Sequence, residues 1–192
     1  MTVKENPEKL FFTADTHFGH TNILKYCNRP FSTRDVHDAA LIKNWNQVVP
    51  PKGTVYHLGD FALCTMGRTE NIREQLNGTI HLIYGNHRST TKRLKHKFGS
   101  VQNYLEIKVM DEEMDIEQVI VLCHYPFESW NKMHHGSWHL HGHCHGTLPS
   151  GDHQARVDVG VDSWDYKPVS YEQIKEHMTY KVFKPIDHHG RV

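Results

Sequence analysis

Four times along the chain a short apolar run stops abruptly at side chains able to bind a metal ion. Lys9 to Ala14 (KLFFTA) runs into Asp15-Thr16-His17, and Thr54 to Leu58 (TVYHL) into Gly59-Asp60. Thr79 to Tyr84 (TIHLIY) runs into Gly85-Asn86-His87, and Glu117 to Cys123 into His124-Tyr125-Pro126. Runs of this length, rich in aromatic and β-branched residues, are the pattern of buried strands. Between them the spacing predicts helices. One opens at a Ser32 capping box (S-T-R-D), carries Val36, Ala40, Trp45 and Val48 at helical spacing, and ends at Pro50-Pro51. Others are expected over Thr69 to Leu76, after which Asn77-Gly78 turns the chain, and over the basic Thr91 to Phe98, stopped by Gly99 and read as a solvated face. Strands near Val101 to Met110 and Glu117 to Cys123 flank an acidic turn, DEEMD. A further strand spans Ala155 to Val161, and Ser170 with Gln173 forms a second capping box for a closing helix.

Sheets whose strands alternate with helices carry their reactive groups at strand carboxyl ends, so residues far apart in sequence can converge there. The strand-end set is Asp15, His17, Asp60, Asn86, His87 and His124. From Ser137 the chain continues SWHLHGHCHG, in which His139, His141, His143 and His145 alternate and, if extended, project to one side, with Cys144 opposite. Carboxylates, an amide and imidazoles make a mixed oxygen and nitrogen donor set, suited by ligand softness to manganese, iron, nickel or zinc. A pair of cations about 3.5–4 Å apart needs a shared anionic ligand to offset their repulsion, and Asp60 is the candidate bridge. Gly59, Gly85 and Gly142 precede candidate ligands, where absence of a side chain permits close backbone approach. Arg29, in the loop Cys27-Asn28-Arg29-Pro30, is a candidate clamp for a substrate anion.

The ordered set D-x-H, G-D, G-N-H, H, G-H-x-H resembles the calcineurin-like metallophosphoesterase superfamily, over about two thirds of the chain from Asp15 through His145. The stretches ADTHFGHTNILKYCNRPF and VGVDSWDYKPVS resemble a compact bacterial and phage subgroup of it. The resemblance implies an α/β (α+β) fold, a four-layer sandwich of two mixed β-sheets packed face to face with helices outside, as a single domain over 1–192. It also implies that Asp15, His17, Asp60 and His145 hold one divalent metal ion and Asp60, Asn86, His124 and His143 the other, manganese first among the candidates. A hydroxide held between the two ions attacks phosphorus, Asn86 and His87 lie beside the phosphate as catalytic and substrate-binding groups, and His87 protonates the leaving oxygen. The chain departs from the common pattern twice. Asp60 is followed by Phe61-Ala62-Leu63-Cys64 rather than by a segment carrying a phosphate-binding arginine, which weakens a protein Ser/Thr phosphatase reading. Arg88 stands where an acidic residue usually follows G-N-H.

Composition bounds the partners. At 192 residues, 38% hydrophobic and 23% charged, the chain has the makeup of an ordinary soluble globule. Lys plus Arg and Asp plus Glu are 22 each, so no overall field attracts nucleic acid or an anionic membrane, and such a partner would need a local patch. No apolar run approaches the ~18 residues of a membrane span. Cys27, Cys64, Cys123 and Cys144 form no C-x-x-C pair, which fits buried free thiols in a cytoplasmic protein. The expected partner is a small phosphate ester, nucleotide-like or a nucleic-acid end; no protein partner can be inferred. The competing reading is a non-catalytic metal-binding protein, built on the histidine-rich stretch from His134 to His153 in a chain holding 18 histidines.

Overall fold

The structure, a computed structural model, describes residues 3–111, 116–149 and 155–181, with side chains from residue 5 onward. Two five-stranded mixed sheets form the body. In one, β1 (Val3–Glu5), β6 (Tyr104–Asp111), β7 (Ile116–Cys123), β8 (Trp138–His141) and β9 (Arg156–Asp158) lie in that order. Only the β6–β7 pair, a hairpin, is antiparallel. In the other the order is β10 (Val169–Ser170), β2 (Leu10–Thr13), β3 (Thr54–His57), β4 (Thr79–Ile83) and β5 (Ser100–Gln102). There β2 to β5 run parallel and β10 opposes them.

The sheets face each other across one apolar core. Leu10, Phe12, Tyr56 and Ile83 of the second sheet share it with Ile107, Ile120, Leu122, Leu140 and Val157 of the first. The parallel strands are buried on both faces and therefore read as continuous apolar runs. Their far side, Phe11, Val55, Ile80 and Leu82, packs on Leu41 and Trp45 of α2 (Arg34–Val48) and Ile72 of α3 (Met66–Gln75). On the outer face of the first sheet, His139 lies against Phe127 and Trp130, with ring centroids 4.9 and 5.4 Å away. Short helices α1 (Ile23–Tyr26) and α4 (Ser89–Arg93) follow strand ends, and α5 (Tyr171–Thr179) closes the described chain. No helix among the described residues is long and apolar enough to cross a membrane.

The sandwich is the expected one, and several local details differ. The cap of α2 is Thr33, whose Oγ1 accepts from Val36 N at 3.2 Å, so the buried stripe is His37, Asp38, Leu41 and Trp45 while Val36 is exposed. The helix expected from Thr69 starts at Met66, capped by Thr65. The helix expected over Thr91 to Phe98 is α4 followed by a 3-10 turn, Lys95–Lys97. The strand expected near Val101 to Met110 is two: Ser100–Gln102 edges the second sheet and Tyr104–Asp111 joins the first, the chain crossing at Asn103. The strand expected over Ala155 to Val161 is confined to β9. The capping box at Ser170 and Gln173 is present, with reciprocal bonds of 3.2 and 3.0 Å. Residues 112–115 of the acidic turn lie outside the described residues.

Candidate metal centre

Both sheets deliver side chains to one rim. Asp15 and His17 follow β2, Asp60 follows β3, Asn86 and His87 follow β4, His124 follows β7, and His143 and His145 follow β8. Backbone bonds lace these ends together: Asp15 N donates to Gly59 O at 3.0 Å and Gly142 N to His124 O at 3.0 Å. His143 N donates to Asp15 Oδ2 at 2.8 Å, and His124 Nδ1 donates to Leu58 O at 2.7 Å. That last bond joins the sheets and leaves His124 Nε2 free to offer a lone pair, the usual second contact of a ligating imidazole.

Donor atoms of Asp15, His17 and His145 lie within 4.8 Å of one another, as do those of Asp15, Asp60 and His124. Asp60 Oδ2 stands 3.7 Å from both His17 Nε2 and His124 Nε2, so its carboxylate lies between the two imidazoles. Its Oδ1 accepts from His87 N at 2.8 Å. Asn86 Oδ1 lies 3.0 Å from His124 Nε2 and 3.1 Å from His143 Nδ1. All seven candidate ligands thus converge, although the residue common to both trios is Asp15 while Asp60 was the expected bridge. Gly85 and Gly142 are required for this closeness. A Cβ on Gly85 would lie 2.2 Å from Asp60 Oδ1, and one on Gly142 would lie 2.4 Å from Asp15 Oδ2.

The cluster fits cations. Asp15 Oδ1 and His17 Nε2 are buried with no hydrogen-bond partner among the described residues, and a buried acceptor without one is costly. Burial pushes the Asp15 carboxyl well above the usual range and the His17 imidazole far below its own. A carboxylate short of positive charge beside a His17 imidazole kept neutral is what a divalent ion would satisfy. Backbone strain collects here too. Asp15, His17, Asp60, His143 and His145 have φ of 55°, 49°, 51°, 71° and 49°, a region costing about 1 kcal/mol or more for residues with a side chain.

The centre opens into a cleft of about 820 Å³ whose walls include His20, Ile23, Tyr26, Leu63, His87 and Leu148. His87 and His17 rings are 5.5 Å apart, which puts the His87 side chain beside the donor set and outside it.

Arg29 departs from expectation. Its five N–H groups are all directed at protein atoms: Nε and Nη2 at Asp162 (2.8 and 2.7 Å), Nη2 also at Asp15 O (2.7 Å), and Nη1 at Thr16 O (3.1 Å) and His37 Nε2 (2.9 Å). It is buried and has no donor left for a substrate anion, so it is a scaffold and not a clamp. The histidine alternation also stops early. Strand β8 ends at His141, and the left-handed backbone at His143 and His145 turns the chain so that Cys144 lines the cleft. Cys27 lines it as well, and only Cys123 is fully buried. His139 and His141 bond to backbone carbonyls (Val121 O 3.1 Å, Gly142 O 2.9 Å), and His57 bonds to Thr16 Oγ1 at 2.9 Å behind the ligands. Arg88 is exposed and bonds to Asn103 Oδ1 at 3.1 Å.

Sequence reasoning missed Asp162, whose Oδ2 accepts from His145 Nδ1 at 2.7 Å while Arg29 grips both its oxygens. Burial opposes charge on His145, but the Asp162 bond, Cys27 and the Asp15 carboxylate raise its pKa to about 10. The signal was present in ARVDVGVD, another strand running into a carboxylate.

No family model matches the chain. It is 35% identical over 173 residues to the uncharacterized protein MJ1445 of Methanocaldococcus jannaschii, covering 86% of this chain and 89% of that protein. The Gene 66 protein of Mycobacterium phage L5 is 28% identical over 183 residues (80% and 86% covered), and that of phage D29 25% over 191 residues (87% and 94%). Among solved structures, the protein of unknown function AQ665 from Aquifex aeolicus matches with a TM-score of 0.67 at 25% identity, over 88% of this chain and 98% of that one. With the sandwich preserved in that solved neighbour and the archaeal likeness running nearly end to end, the chain belongs to the family of MJ1445.

Proposed function

We propose that the protein is a dinuclear metal-dependent phosphoesterase, a hydrolase acting on a small phosphate ester such as a nucleotide or a nucleic-acid end. The observation that carries the proposal is the convergence of two buried carboxylates, an amide and four imidazoles on one cleft, with Asp15 Oδ1 and His17 Nε2 lacking protein partners among the described residues. Asp15, His17, Asp60 and His145 would hold one divalent ion and Asp60, Asn86, His124 and His143 the other, manganese first, with iron, nickel or zinc also suited to these donors. When bound, such a pair supplies positive charge against the phosphoryl oxygens and makes a water acidic enough to act as nucleophile at neutral pH. His87, fixed through its backbone bond to Asp60, faces the cleft from outside the donor set and donates a proton to the departing oxygen. Asn86 orients the substrate beside it. A reducing, cytoplasmic setting is part of the proposal, supported by four free thiols.

The metal-storage alternative is less favoured by the geometry. Within the histidine-rich stretch, His139 and His141 are buried and bonded to backbone carbonyls, while His153 lies outside the described residues.

Metal content and hydrolysis of bis-p-nitrophenyl phosphate with added manganese test the reading. Wild-type protein is expected to carry two ions per chain and to turn over. Asp60→Asn is expected to lose both, and an Asp60→Asn protein with normal turnover would refute the proposal.

A further inference from the structure

The overall charge is balanced, yet the fifteen-residue stretch from Gly85 to Gly99 contains Arg88, Lys92, Arg93, Lys95 and Lys97 and no acidic residue. It begins with Asn86 and His87 in the wall of the cleft and continues as α4 and the 3-10 turn after it. Within the stretch Lys97 is neutralised, by Glu70 at 2.6 Å and Glu74 at 2.9 Å from α3. Arg88, Lys92, Arg93 and Lys95 are exposed, and none of them makes an ion pair among the described residues. Arg88 is held in place, donating to Asn103 Oδ1 and lying over the Tyr84 ring at 5.8 Å. Arg88 and Lys92 are four residues apart, one helical turn, or roughly 6 Å of rise.

We infer that this ridge is a docking track for a single-stranded nucleic acid, whose backbone phosphates run along α4 while one phosphodiester enters the cleft at His87. The substrate class so named rests on the phosphoesterase reading. A small nucleotide needs no cations beyond the cleft. A polymer with a regularly charged backbone extends past it and meets a row of lysines and arginines that the protein leaves without acidic partners among the described residues. Phosphate contacts of this kind supply sequence-independent affinity and are salt-dependent. An acidic peptide offers charge to the ridge but no phosphorus to the centre, which decides between the two polyanions.

The test measures anisotropy of fluorescein-labelled oligothymidylate in EDTA, where binding is read without turnover, beside bis-p-nitrophenyl phosphate hydrolysis with manganese. The variant Lys92→Glu/Arg93→Glu is expected to bind at least about tenfold more weakly. Its slope of log affinity against log salt should shrink by on the order of 1.4, from ~0.7 per lost phosphate contact on a single strand. Hydrolysis of the small diester should stay within about twofold of wild type. Lys43→Glu/Lys52→Glu, an equal charge change on exposed residues elsewhere, is the control, and the glutamine pair Lys92→Gln/Arg93→Gln serves if the glutamate pair fails to fold. Equal weakening by the control, or polyglutamate competing as well as oligothymidylate, overturns the inference. Failure of wild-type protein to hydrolyse the small diester would instead sink the phosphoesterase reading and leave the binding result standing by itself.

Discussion

Replacing Arg29 by methionine separates scaffold from clamp. The Arg29 side chain is 0% exposed and that of its partner Asp162 8%, so the pair is screened from water. Methionine keeps much of the volume and removes all five donors. Asp162 then keeps only its bond from His145, and the carbonyls of Asp15 and Thr16 lose a donor. Breaking one side of a buried ion pair costs about 3–5 kcal/mol. For a chain of this size each kcal/mol moves the midpoint of thermal unfolding by about 2–4 °C, so the variant should melt roughly 6–20 °C below wild type. Calorimetry in EDTA measures this without contribution from bound ions. Removing both charges, Arg29→Met with Asp162→Leu, should cost less than the two single changes together, because neither leaves a buried charge behind. A melting point within about 2 °C of wild type, together with a large rise in KM for a phosphate diester, would show that Arg29 reaches substrate and that the scaffold assignment is wrong.

Other outcomes follow from the same geometry. Gly85→Ala places a methyl group 2.2 Å from Asp60 Oδ1 and should lower metal content and turnover together; retention of both would mean that the backbone near Asp60 yields easily. Asp162→Asn should weaken manganese binding by about 10–100-fold in a chelator competition, since it loosens the orientation of His145, and unchanged affinity would leave Asp162 a purely structural partner. His57 and His139 are held neutral chiefly by burial, with pKa values near 3. The unfolded chain therefore binds more protons than the folded one, and their stabilisation, complete above about pH 6.5, is lost as pH falls toward 3, at about 1.4 kcal/mol per pH unit for each. Urea midpoints of His139→Gln should show a correspondingly shallower acid slope than wild type; identical slopes would contradict this.

The strand ends were legible because burial and chemistry change at a single residue. Apolar runs stop at Asp15, Asp60, Asn86 and His124, and the structure places those residues on one rim. What was not legible depends on partners distant in sequence. The loop holding Arg29 looks like any exposed cationic loop until Asp162, 133 residues away, is folded against it. The run through Gln102 and Tyr104 reads as one strand, since period-two patterning carries no mark of a change of sheet at Asn103. Alternating His139 to His145 suggests an extended segment, whereas left-handed turns at His143 and His145, just after Gly142, redirect the chain. The basic run from Thr91 to Phe98 was visible in the sequence and read as a solvated face, because a charge run alone does not show that it continues from the wall of a cleft.

The crossing at Asn103 divides the chain so that Asp15, His17, Asp60 and Asn86 belong to one sheet and His124, His143 and His145 to the other. Cations seated among them would act as rivets through a seam, drawing two separately hydrogen-bonded plates together at one edge. Occupancy and folding are then a single linked quantity: at a hundredfold excess of ion over its dissociation constant, each rivet adds about 2.7 kcal/mol to the assembled state. Starved of metal, the same sequence would hold its plates by the apolar core and by the few hydrogen bonds that span the seam, His124 Nδ1 to Leu58 O among them, and open first along the rim where the candidate ligands meet.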